Sequence, residues 1–125
     1  MPAPPRVLVL SIDPMLGRLV QLNLERRGFE VHQHRWAACC GLGEAPPPRA
    51  AAGLVLADLD CPSPACWRGA PHLRALFPVR PLLLLAHERP SAPYLRTHQP
   101  CRSLQKPFAI DELVQAVGGL LRMAG

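Results

Sequence analysis

Gly53-Leu54-Val55-Leu56-Ala57-Asp58-Leu59-Asp60-Cys61-Pro62 decides how the rest of the chain is read. Four apolar residues run straight into a carboxylate, and a proline follows almost at once. A short unbroken apolar run bounded by Gly and Pro reads as a strand buried on both faces. Asp58 then stands at the carboxyl end of that strand, where open α/β sheets place their ligand crevice. Aspartate is equally suited to cap a following helix, and this stretch alone leaves both roles open.

Outward from that strand the pattern repeats. Val7-Leu8-Val9-Leu10 is a second buried strand, ending at Ser11-Ile12-Asp13-Pro14. Asp13 and Pro14 suit the N-cap and first position of a helix to Arg27. Its apolar residues are Met15, Leu16, Leu19, Val20, Leu22 and Leu24, several at helical spacing. Gly28 suits the C-cap, and Phe29-Glu30-Val31-His32 alternates like a strand. Leu82-Leu83-Leu84-Leu85 is a fourth strand, and Arg102-Ser103-Leu104-Gln105 a weaker fifth. A last helix runs from Ile110 to Met123, with Leu113, Val114, Val117, Leu120 and Leu121 on one face and Asp111 and Glu112 at its positive end. The intervening helices are poor. Glycines and Pro46-Pro47-Pro48 cut short any helix in 36–52, and Pro71 interrupts a plausible one over 64–76. Between 87 and 100, at most one short helix fits, capped by Ser91. Five strands alternating with helical segments predict a doubly wound parallel sheet in a single domain, 1–125.

Composition narrows the function. The chain has 125 residues and a net charge of +5, carried by thirteen arginines and one lysine. The arginines are scattered, with Arg26-Arg27 the one adjacent pair, so a nucleic-acid-binding face is not expected. No apolar run is long enough to span a bilayer, and the N-terminus lacks a signal peptide's apolar core. A cytoplasmic protein is expected. There, Cys39, Cys40, Cys61, Cys66 and Cys101 are expected to be reduced. Cys61 and Cys66 lack the tight spacing of a zinc module. A redox or metal switch built on Cys61, Cys66 and Cys101 is the reading from a different functional class.

The chain resembles the receiver domain of two-component response regulators over nearly its whole length. Four stretches carry the likeness: Val7-Leu8-Val9-Leu10 with Asp13-Pro14; Leu24-Glu25-Arg26-Arg27-Gly28-Phe29-Glu30-Val31; Val55-Leu56-Ala57-Asp58-Leu59-Asp60-Cys61-Pro62; and Leu104-Gln105-Lys106-Pro107-Phe108. The resemblance implies a flavodoxin-like sheet of strand order 2-1-3-4-5, here with degenerate second and fourth helices. It also implies that Asp58 takes the phosphoacceptor position and Lys106, the single lysine, the place of the residue that contacts the phosphoryl oxygens.

The rest of the family's machinery is substituted. Ser11 and Ile12 stand where two acids hold Mg²⁺, Ala86 where a Ser or Thr closes onto the phosphoryl group, and Ser103 where an aromatic swings with activation. Asp13 and Asp60 are the candidate substitute acids. Mg²⁺ demands near-ideal octahedral oxygen geometry, and Ile12 has no side-chain oxygen. Weak or absent Mg²⁺ binding and slow or absent phosphorylation are therefore expected, with no other metal or cofactor. Asp58 and Lys106 are expected to pair instead, at an attraction of about 4 kcal/mol before desolvation.

The expected function is an atypical receiver domain, not an enzyme. It would act in signal transduction as a protein-interaction module for a histidine kinase or an output protein. The alternative is a phosphorylation-competent response regulator that accepts a phosphoryl group on Asp58. His87 is expected to be a solvent-exposed loop residue, and His32, His34, His72 and His98 show no metal-ligand spacing beyond His32 and His34 sharing a strand face. Trp36 and Trp67 are expected to be packing aromatics.

Overall fold

A computed structural model describes residues 5–11, 13–35, 53–59, 74–88 and 90–124. Within them lie five strands, β1 (Arg6–Leu10), β2 (Glu30–His34), β3 (Leu54–Asp58), β4 (Leu82–Ala86) and β5 (Cys101–Gln105). Three helices accompany them: α1 (Pro14–Glu25), α2 (Ala92–Thr97) and α3 (Ile110–Ala124). All four pairings are parallel and the order is β2-β1-β3-β4-β5, as expected. The segments 36–52 and 60–73, with the expected second helix, Trp36, Trp67, His72, Cys39, Cys40, Cys61 and Cys66, lie outside the described residues.

The continuous apolar runs are explained by the two faces of the sheet. Every residue of β3 and β4 is buried. Alternate side chains go to opposite sides. On one side, Val7, Val9, Leu54, Leu56, Leu83 and Leu85 pack against Val20 and Leu24 of α1 and Leu113, Val117 and Leu120 of α3. On the other, Leu8, Leu10, Val55, Ala57, Leu82 and Leu84 pack with Phe77, and with Leu76, Tyr94 and Leu95 at the margin. A parallel sheet needs both covers, because it leaves no strand face for water.

The helix ends follow the local chemistry. Asp13 caps α1, its carboxylate accepting from Met15 N at 3.0 Å and Leu16 N at 3.4 Å, with Pro14 at the first helical position. The helix stops at Glu25, two residues short of the expected Arg27; the chain then turns through Gly28, whose φ of +91° a side chain would strain. Ser91 caps the short α2 through Tyr94 N. At the head of α3, Glu112 reaches back to accept from Ala109 N at 3.0 Å, half of a capping box.

At the amino end of the sheet, Arg74 donates to four carbonyls, those of Phe77, Arg80, His98 and Pro100. It ties the approach to β4 to the approach to β5, where Leu82 N also donates to Pro100 O at 2.9 Å. Its Nε is buried without a hydrogen-bond partner. One of thirteen arginines in the sequence, it carries no motif that marks it out.

Candidate functional site

The carboxyl ends of the strands are brought level by the register. Leu10 pairs with Ala57, Asp58 with Leu85, and Ala86 with Gln105. The ladder continues one step past the strands: Leu59 N donates to Leu85 O and Lys106 N to Ala86 O, each at 2.8 Å. These bonds fix the backbone on either side of two side chains, Asp58 and Lys106. Counted by twos, Ser11 follows Val7 and Val9, Asp58 follows Leu54 and Leu56, and Lys106 follows Leu104. All three therefore project on the side covered by α1 and α3.

There they meet. Lys106 Nζ lies 2.8 Å from Asp58 Oδ1. Ser11 Oγ donates to Asp58 Oδ2 at 3.1 Å. Asp58 belongs to β3 and Lys106 follows β5, with β4 between them, so the ammonium must span two strand spacings, about 10 Å. A long flexible stem does this; a short side chain could not. The pair is enclosed, with 3% of the Asp58 side chain and 15% of the Lys106 side chain exposed.

The Ser11 hydroxyl has one proton to give and two lone pairs. Asp13 N donates to Ser11 Oγ at 3.0 Å. That occupies one lone pair and leaves the proton to point at Asp58. The hydroxyl's contact with Asp13 O, at 3.4 Å, is the longer alternative. A relay of two hydrogen bonds thus runs from the backbone before α1 to the Asp58 carboxylate. Ser11 was expected only as a substitution for an acid; its contact with Asp58 is the addition the structure makes.

The other expected site residues separate. Asp13 is exposed and its carboxylate is committed to the helix N-terminus, so the structure does not bring it to Asp58 as a substitute acid. Ile12 and Asp60 lie outside the described residues. Ala86 ends β4 buried, a methyl group with no hydroxyl to offer. Ser103 is half-buried on β5, paired in register with Leu84. Ser103 and Lys106, with Gln105, Pro107 and Glu112, line an open depression beside β5.

Among the described residues, the Asp58 carboxylate is contacted by the Ser11 hydroxyl and the Lys106 ammonium. Octahedral Mg²⁺ takes oxygen ligands, usually with one or two carboxylates, and an ammonium in contact with the carboxylate repels a cation. These residues do not fit the metal that the resemblance implies. Among the described residues, no group of three or more His, Cys, Asp or Glu side chains could hold a metal ion. None of their helices is long and apolar enough to cross a membrane.

His87 is exposed, as expected, and its carbonyl accepts from Gln105 Nε2 at 3.1 Å. His32 pairs with Glu30 at 3.2 Å, and this bond, with help from Arg6, holds the Glu30 carboxyl below its usual range. Burial, then the charge of Arg74, lowers the His98 imidazole. Cys101 is a buried free thiol. Burial pushes it up to about 11 against the opposing pull of Arg74, so at neutral pH it is a neutral thiol.

No protein-family model matches the chain, and no curated protein matches it in sequence. Solved structures do match it. A response regulator receiver protein from Sinorhizobium medicae is 21% identical, with 98% of each chain covered and a TM-score of 0.67. A CheY-like receiver domain protein from Methanospirillum hungatei is 16% identical, over 97% of this chain and 96% of that one, with a TM-score of 0.72. The chemotaxis response regulator CheY4 of Vibrio cholerae is 18% identical, over 94% and 98%, with a TM-score of 0.67. Strand order, parallel pairing and these superpositions agree: the chain has the fold of the response-regulator receiver domains.

Proposed function

We propose that this chain is an atypical receiver domain that works in two-component signalling as a protein-interaction module, with Mg²⁺-dependent phosphorylation impaired or lost. One observation carries the reading: both oxygens of Asp58 are engaged from within the fold, Oδ1 by Lys106 and Oδ2 by Ser11. Phosphoryl transfer needs the acceptor oxygen open and the charge of three phosphoryl oxygens neutralised, a task that metal and cationic groups share. Here the one lysine is spent on the carboxylate itself, and a hydroxyl stands in place of an acid. The partner is a protein, either a histidine kinase or an output protein, and the domain serves it by shape and surface.

The test is intact mass after incubation with a small-molecule phosphodonor, with and without Mg²⁺, beside Asp58→Asn. No adduct on either protein under either condition is the expected result. One phosphoryl group on the wild type alone, and only with Mg²⁺, would overturn the reading in favour of a working response regulator.

A further inference from the structure

A cleft opens between β1, α1 and β2. Its volume is about 140 Å³, and Val9, Ser11, Pro14, Gly17, Gln33 and Arg35 are among the residues that line it. β1 lies between β2 and β3 in the sheet, so the cleft and Asp58 are on opposite flanks of one strand, with Ser11 common to both. A volume near this one holds a molecule of about six heavy atoms.

The polar groups of the cleft are set in a fixed order. Val31 packs on the α1 side of the sheet, and Gln33 and Arg35 follow it by twos. Gln33 donates through Nε2 to Gln21 Oε1, and Gln21 donates through its own Nε2 to Glu25 Oε2 at 3.3 Å. An ionised carboxylate only accepts, so Glu25 sets the direction of both amides. That leaves Gln33 with its carbonyl oxygen against Gly17, where an added Cβ would stand 2.5 Å from it. Glycine at 17 is what admits the oxygen to the wall of the cleft. The Ser11 hydroxyl is already spent, its proton on Asp58 and a lone pair on Asp13 N. The cleft therefore offers one acceptor, Gln33 Oε1, one cation, Arg35, and apolar walls at Val9 and Pro14.

We infer that this cleft binds a short hydroxy- or amino-carboxylate, its carboxylate on Arg35 and its O–H or N–H donated to Gln33 Oε1. A guanidinium takes a carboxylate with two parallel bonds, and the chain's net charge of +5 favours the approach of anions. A carboxylate without a donor satisfies Arg35 and leaves the Gln33 oxygen unmet. A neutral diol does the reverse. The inference goes beyond the interaction-module reading and does not depend on it.

The probes are racemic lactate, propionate, propane-1,2-diol and inorganic phosphate. Each is titrated at constant ionic strength into the isotope-labelled full chain and followed by amide chemical shifts. Lactate is expected to saturate shifts centred on residues 9–17 and 33–35, with a Kd of about 1 mM, in keeping with its size. Propionate and phosphate should bind about tenfold more weakly, for want of the bond to Gln33, and the diol should give no saturable shift. Gln33 and Arg35 are exposed, so replacing either leaves the core intact. Arg35→Ala should weaken lactate about tenfold or more. Gln33→Leu should bring lactate down to the affinity of propionate. Gly17→Ala should do the same, because its methyl displaces the Gln33 carbonyl. No saturable shift with lactate, or shifts centred on other elements, would sink the proposal. So would propionate or phosphate binding as tightly as lactate, or an Arg35→Ala protein that binds lactate as the wild type does.

Discussion

Asp58 is a buried acid whose two carboxylate oxygens are met by partners from different parts of the chain. Its cation comes from the far side of β4, its second hydrogen bond from β1, and the hydroxyl that makes that bond is itself oriented by a backbone amide. Deleting one member of such a group leaves the others buried and under-satisfied, which costs more than the group is worth as a whole. Lys106→Met is therefore expected to lower stability by about 3 kcal/mol or more, because Asp58 remains 3% exposed after its ammonium is gone. Ser11→Ala should cost less, about 1–3 kcal/mol, the range for losing one hydrogen bond to a charged acceptor. Asp58→Leu combined with Lys106→Met should recover much of the loss, since apolar replacement of a buried ion pair is often neutral. Urea midpoints at unchanged m read all three. Two single variants as stable as wild type would mean that the triad is decoration.

Local chemistry fixed the elements more firmly than it fixed the site. The β-runs could be read because a parallel sheet demands apolar residues on both faces, and Val7 to Leu10, Leu54 to Ala57 and Leu82 to Leu85 meet that demand without a break. Asp13 was legible as a cap because Pro14 follows it. Asp13→Ala is expected to cost about 1 kcal/mol and Asp13→Ser only a few tenths, because serine also accepts from the first-turn amides. Thermal unfolding reads the difference, and equal losses would show that the carboxylate has another task. Ser11 was not legible as a donor, because its partner is 47 positions away and hydroxyl direction depends on a backbone amide that sequence does not place. The exposure of part of α1 was hidden for another reason. Spacing alone does not divide the six apolar residues of this helix, of which Val20 and Leu24 are buried while Met15, Leu19 and Leu22 remain exposed.

At the scale of the whole molecule, the sheet is held at both ends by long-range polar contacts of different kinds. Asp58 closes the carboxyl end and Arg74 ties the amino end, where its guanidinium gathers carbonyls from segments 24 and 26 positions away. The fold could be anticipated because pattern, turn chemistry and family likeness agreed along the chain. The amino-end clamp could not, because a lone arginine among scattered arginines has no local signature.

The spacing of the triad along the chain has a consequence in time. Ser11 and Asp58 are 47 positions apart, and Asp58 and Lys106 are 48. The Lys106 contact with Asp58 reaches across β4, so it needs the β3-β4-β5 pairings, and a transition state that has not completed them lacks it. Interactions absent from the transition state act on the escape from the native state and not on its formation. Lys106→Met should accordingly leave the refolding arm of a chevron almost unmoved and raise the unfolding rate about a hundredfold for a loss near 3 kcal/mol. A slowed refolding arm would place the triad in the nucleus instead. On this account the Asp58–Lys106 contact governs how long each folded molecule persists, a lifetime written into the sheet itself.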